Sequence, residues 1–131
     1  MPVTIKKLVD QNRSAYKQQF YIESANLSYV IVVKILKHFI KEEKINIPVS
    51  ARLGECLKTI KTHYNKNPSF TRKLKKSAYK SVVSFHSEYK DVNRALKVHY
   101  PEIKLKNTAK LGLHMLVQLN TALVKLKSNQ L

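Results

Sequence analysis

A chain of 131 residues with 25 lysines and arginines against 8 acids carries a formal charge of +17. Its 44% hydrophobic content excludes a disordered basic tail, its length is that of one domain with a core of its own, and the single cysteine, Cys56, excludes an internal disulfide. A compact fold with this imbalance repels itself, and the partner that offsets the repulsion is a polyanion whose condensed counterions are released as its phosphates are neutralised.

The charge is uneven. Residues 1–60 hold ten basic and five acidic side chains, and residues 61–131 hold fifteen and three, so the second half is the stronger anion-binding candidate. The most apolar run, 27–40, contains Lys34, Lys37 and His38 and is too short and too charged to span a bilayer. No membrane partner is expected. The lone cysteine and the lack of a leader-like segment predict a cytoplasmic protein, and Asn26-Leu27-Ser28 then reads as a chance glycosylation sequon.

Helical periodicity dominates, and Pro48, Pro68 and Pro101 punctuate it. The predicted fold class is all-α: an antiparallel up-down four-helix bundle over 23–128, preceded by an N-terminal extension, 1–22. In the extension, Ile5, Leu8 and Val9 suggest a short extra helix packed on the bundle.

The first bundle helix is expected over about 24–44. Leu27, Ile31 and Ile35 recur at i, i+4, i+8, and Val30, Val32 and Val33 widen the apolar face. The second is expected over about 50–65, with Ser50 as N-cap and Leu53, Cys56, Leu57, Ile60 and Tyr64 as its stripe. The third is expected as one long helix, about 69–99. Leu74, Ala78, Val82, Phe85, Tyr89, Val92, Leu96 and His99 hold one face, and Lys73, Lys76, Lys80, Ser87, Lys90, Arg94 and Lys97 hold the other. The fourth is expected from a cap at Asn107 or Thr108 to about Lys127. Gly112, Ala109 and Ala122 there are small enough for a neighbouring helix to approach closely.

The basic stripe is the main functional signal. Lys73, Lys76, Lys80, Lys90, Arg94 and Lys97 are the expected nucleic-acid-binding residues, a row of cations tracking a phosphate backbone. Lysines outnumber arginines, and a point charge lacks the planar fork that reads guanine, so the binding is expected to ignore base sequence. Among Tyr64, Tyr79, Tyr89 and Tyr100, the first and third lie on core stripes, and Tyr79 is the best placed to stack on an unpaired base.

Catalytic and metal readings are thinner. Arg94 and His99, followed by Tyr100, form an Arg-x4-His motif that resembles HEPN-type ribonucleases. In such a site the histidine acts as acid or base and the arginine stabilises phosphorane charge. Positions five apart on a helix diverge by about 140°, however, unless the helix breaks between them. His38, His63, His86 and His114 lack ligand spacing, and no metal or cofactor is expected. Glu42 and Glu43 read as a helix-end pair, and Cys56 as a core residue rather than a nucleophile.

The segment Ile47-Pro48-Val49-Ser50-Ala51-Arg52-Leu53-Gly54-Glu55 resembles the Pro-x-Ser…Leu-Gly-Glu/Asp turn of the accessory variability determinant (Avd) proteins of diversity-generating retroelements. The four-helix-bundle proteins encoded in 23S ribosomal RNA intervening sequences share that architecture. The resemblance covers about residues 28–127. It continues through the basic third helix, where Lys90 and Arg94 fall at the family's Leu-Arg-x-x-x-Arg positions, and through the break at Tyr100-Pro101-Glu102. Lys90 stands where the family has arginine, and 118–126 lacks the family's closing glycine pair and tryptophan. The resemblance implies a non-catalytic, basic homopentamer that binds RNA or DNA together with a reverse transcriptase. The alternatives are a HEPN-like ribonuclease using Arg94 and His99, and a structural subunit of a ribonucleoprotein.

Overall fold

The computed structural model describes residues 3–95 and 102–129, with side chains over 5–92 and 102–123. Those residues form five α-helices and one 3-10 turn, with no strand among them. The helices are α1 (Val3–Lys17), α2 (Tyr21–Glu42), α3 (Leu53–Lys66), α4 (Lys76–Ala95) and α5 (Glu102–Asn129), and the 3-10 turn is Pro68–Arg72. Helix α2 is the hub and packs against α1, α3, α4 and α5, while α5 also packs against α1 and α4.

The core follows the apolar stripes. Ile31, Val32, Ile35, Leu36, Phe39 and Ile40 of α2 meet Leu53, Cys56, Leu57 and Ile60 of α3, Ala78, Val82 and Phe85 of α4, and Met115, Leu116 and Leu119 of α5. Every one of these side chains is buried, and the removal of that apolar surface from water is the main stabilising term. Val30, by contrast, is exposed and widens no buried face, and Val117 on α5 is exposed as well.

The extension is a full fifteen-residue helix rather than a short one. Its stripe is hard to see in sequence because its centre is polar. Asn12 is fully buried, donates from Nδ2 to Ser28 Oγ at 2.7 Å and accepts from Ser24 Oγ. All three side chains are buried, so the α1–α2 hairpin is joined internally by a satisfied polar triad.

The ends of α1 and α2 share one device. Phe20 N–H bonds to Ala15 O and Gln19 N–H to Tyr16 O; Ile45 N–H bonds to Ile40 O and Lys44 N–H to Lys41 O. These are Schellman closures with Gln19 (φ 66°) and Lys44 (φ 58°) in the left-handed position that glycine usually takes.

Three expected boundaries move. Helix α3 begins at Leu53 with Arg52 in extended conformation (φ −93°, ψ 176°) at the N-cap, so Ser50 does not cap it. Helix α5 begins at Glu102, and Thr108 lies inside it, buried, with its hydroxyl donating back to Lys104 O. The long third helix is two pieces, a 3-10 turn over Pro68–Arg72 and α4 from Lys76, with Phe70 and Leu74 buried on either side of the break. Lys73 and Leu74 N–H both bond to Phe70 O, and the Tyr64 hydroxyl donates to Leu74 O at 2.7 Å, satisfying the backbone at the break.

Candidate nucleic-acid interface

Between Glu55 and Glu88 the sequence contains no acid, yet it contains Lys58, Lys61, Lys66, Arg72, Lys73, Lys75, Lys76 and Lys80. All eight side chains are exposed. The run covers α3, the 3-10 turn and the first part of α4, so its exposed cations are spread over three elements rather than along one helix.

On α4, Lys76, Lys80 and Lys90 fall within about 80° of helix circumference, opposite the buried Ala78, Val82, Phe85, Tyr89 and Val92. From Lys76 to Lys90 the rise is about 21 Å, the length of roughly six nucleotide steps along one strand. Exposed Val83 and Asp91 share this face, which is therefore basic but not uniformly so. Arg94 belongs to α4, but its side chain lies outside the described residues, as do Lys97, His99 and Tyr100 entirely.

Lys73 stands apart from its expected neighbours. It lies at the end of the 3-10 turn, outside α4, and its Nζ is 2.7 Å from Glu43 Oε2. The other oxygen of Glu43 accepts from His63 Nε2 at 2.8 Å. Burial pushes the Glu43 carboxyl up, but the hydrogen bonds and charges of Lys73 and His63 outweigh it and hold the group below its ordinary 4.5. Glu43, at the C-cap of α2, thus ties together α2, α3 and the break before α4, and Lys73 is committed to a carboxylate.

Of the candidate tyrosines, Tyr64 and Tyr89 are buried and Tyr79 is partly buried. Tyr79 is half-buried, its hydroxyl donates to Leu57 O at 3.3 Å and its ring meets Tyr64 edge-on, so it is not presented as a stacking platform. Burial pushes the hydroxyls of both Tyr64 and Tyr79 up. Tyr89 stacks on Tyr29 with ring centroids 4.8 Å apart and donates to Asn26 Oδ1 at 2.6 Å.

No family model, curated protein or solved structure matches this chain. The site therefore rests on its own chemistry. Among the described residues no group of three or more His, Cys, Asp or Glu is placed to hold a metal ion, and no helix is long and apolar enough to cross a membrane. Cys56 is fully buried and burial pushes its thiol up, which disfavours the thiolate. The surface is suited to holding an extended anion by charge.

Arg72, Lys75, Lys58, Lys61 and Lys66 were absent from the expected ladder. The signal that finds them is the missing acid between Glu55 and Glu88, which is a property of the run rather than of any one helical face.

Proposed function

We propose that this chain is a non-catalytic nucleic-acid-binding protein that grips backbone phosphates, with Lys76, Lys80 and Lys90 of α4 as its main described contacts. The observation that carries the reading is the acid-free run of chain between Glu55 and Glu88, whose eight lysines and arginines are all exposed, together with the shared face of Lys76, Lys80 and Lys90 on α4. Solvated faces ordinarily mix signs, because a one-sign field destabilises the fold that bears it. The finer reading is an Avd-like four-helix bundle, α2 to α5 with α1 added, that assembles as a homopentamer and brings an RNA or DNA template to a reverse transcriptase. The turn around Pro48 and Gly54 and the basic helix after it support that reading. Repetition of one modest basic face around a ring raises avidity for a long polyanion without any deep pocket.

The test is a salt titration of binding to a mixed-sequence single strand, read by fluorescence anisotropy. The expected log–log slope is about −0.7 per phosphate contacted, and replacing Lys76, Lys80 and Lys90 together by alanine should flatten it by about 2 units. An affinity indifferent to salt would overturn the mechanism. Solution mass separates the assemblies: a stable pentamer supports the Avd-like reading, whereas a monomer supports a ribonucleoprotein subunit. RNA cleavage by the purified protein that is lost in His99→Ala would replace the scaffold with a nuclease.

A further inference from the structure

At the break before α4 the surface is indented. A notch of about 200 Å³ is lined by Arg72, Lys73, Lys75, Ser77 and Ala78 on one side and by Gln118, Thr121 and Ala122 of α5 on the other. It is smaller than the roughly 300–1,000 Å³ of sites that take whole small molecules. That suits one compact polar group better than a whole small molecule.

The charge around the notch is defined by what Glu43 does. Glu43 holds the Lys73 ammonium, so Lys73 contributes mainly its stem to the wall. Arg72 and Lys75 are exposed, and neither has a carboxylate within ion-pair distance among the described residues. The first turn of α4, which forms part of the wall, contains no acid. The α5 side adds polar rather than charged groups. The Gln118 Oε1 accepts from Ser81 Oγ, and the Thr121 hydroxyl donates to Val117 O. Two uncommitted cations beside a compact cavity match a dianion better than the single charge of each phosphodiester.

We propose that this notch binds a terminal phosphate monoester, the phosphorylated end of a nucleic-acid strand whose remaining phosphates run over the basic face of α3 and α4. A monoester carries about −1.5 to −2 charge and three acceptor oxygens. Arg72 supplies the planar fork for two of them and Lys75 a point charge for the third. The inference rests on the nucleic-acid reading and adds to it a polarity: the protein distinguishes a phosphorylated end from a hydroxyl end.

The experiment compares two labelled single strands by anisotropy. One carries a 5′-phosphate. The other ends in a hydroxyl and is two nucleotides longer, which matches total charge. The native protein should bind the phosphorylated strand about five- to tenfold more tightly, the scale of two partly exposed charge contacts. The preference should vanish in Arg72→Ala/Lys75→Ala and persist in Lys6→Ala/Lys7→Ala, which removes the same charge from exposed positions of α1. Circular dichroism confirms that both variants fold, and millimolar inorganic phosphate should erase the preference in the native protein. Equal affinities for the two strands, or a preference that survives loss of Arg72 and Lys75, overturn the proposal while leaving the phosphate-contact reading intact. Saturable binding of inorganic phosphate alongside equal strand affinities would make the notch a free-phosphate site and likewise overturn it. Failure of either strand to bind overturns both readings.

Discussion

Gly112 of α5 lies directly against Ser28 of α2: a Cβ added to Gly112 would meet Ser28 Oγ at 2.6 Å and Ser28 Cβ at 2.8 Å. Phe85 of α4 closes the third side at 2.9 Å. The three helices therefore converge at the one point where α5 has no side chain. Ser28 cannot turn away cheaply, because it is fully buried and its Oγ accepts from Asn12 of α1.

Gly112→Ala tests that convergence. Alanine gains about 1 kcal/mol of helix propensity over glycine, while overpacking a filled core costs about 1–3 kcal/mol. The clash involves a Cβ and a pinned hydroxyl, so the steric term should win. Chemical denaturation is expected to show a net loss of about 1–2 kcal/mol, and the double variant Gly112→Ala/Ser28→Ala should lose less than the sum of the two single changes. A Gly112→Ala protein as stable as the parent would show that the helices have room to spare.

Asn12→Ala removes the centre of the α1–α2 triad and leaves Ser24 and Ser28 without their partner in a buried place. An unsatisfied buried polar group costs about 1–3 kcal/mol, and that loss is expected in equilibrium unfolding. If α1 were loosely attached, the midpoint would hardly move.

The helical period expresses part of this fold and hides the rest. The α3 stripe of Leu53, Cys56, Leu57, Ile60 and Tyr64 is buried as its spacing predicts, and so is the opposed face of α4. The small residues Gly112 and Ala109 mark places of close approach, and Ala109 is fully buried. The full length of helix α1 is not evident from period because Asn12 interrupts its apolar stripe, and only its partners on α2 make an asparagine suitable there. The helix ends were hidden because Gln19 and Lys44 occupy glycine positions, so no punctuating residue marks the turns. The break at Lys73–Lys75 contains neither proline nor glycine. Phe70 and Leu74 keep the i, i+4 spacing of a continuous helix, so their period predicts no break there, and the backbone is instead satisfied locally by Phe70 O and the Tyr64 hydroxyl. The shared exposed face of Lys76, Lys80 and Lys90 follows from period alone, whereas Lys73 lies outside α4 and pairs with Glu43.

Gln19→Gly should stabilise the protein. A non-glycine residue in the left-handed region costs about 1–2 kcal/mol, and glycine costs about 0.5–1 kcal/mol through its greater freedom when unfolded. The difference predicts a gain of up to about 1.5 kcal/mol, visible as a raised Tm. A lower Tm would mean that the Gln19 side chain makes a contribution larger than the strain.

Glu43 predicts the acid limb of stability. Its native pKa is below the ordinary 4.5, first against the effect of burial and then because Lys73 and His63 favour the anion. A carboxyl with a depressed native pKa contributes stability that is complete above its unfolded value and is lost as pH falls through its native one. Glu43→Gln should therefore lower stability by about 1–2 kcal/mol at neutral pH, discounted for the partly exposed Lys73. The deficit should shrink below pH 4.5 as the parent loses the same charge. A deficit unchanged down to strong acid would assign the effect to packing.

His86 offers a reporter inside the proposed interface. Burial lowers its pKa from 6.5, and the charge of Lys90 one turn away lowers it further. Because the unfolded imidazole binds a proton more readily than the native one, the His86 contribution to stability is present above 6.5 and is lost as pH falls through the native value. Lys90→Ala should raise the native pKa part of the way back, since burial remains. A phosphate docked on Lys90 would act in the same direction by cancelling its field, so saturation with a single strand should raise the His86 pKa in the parent and move it much less in Lys90→Ala. Both shifts are measurable by NMR titration of the imidazole. A His86 pKa that ignores the bound strand would place the phosphates away from Lys90, and with it the far end of the α4 face would leave the interface.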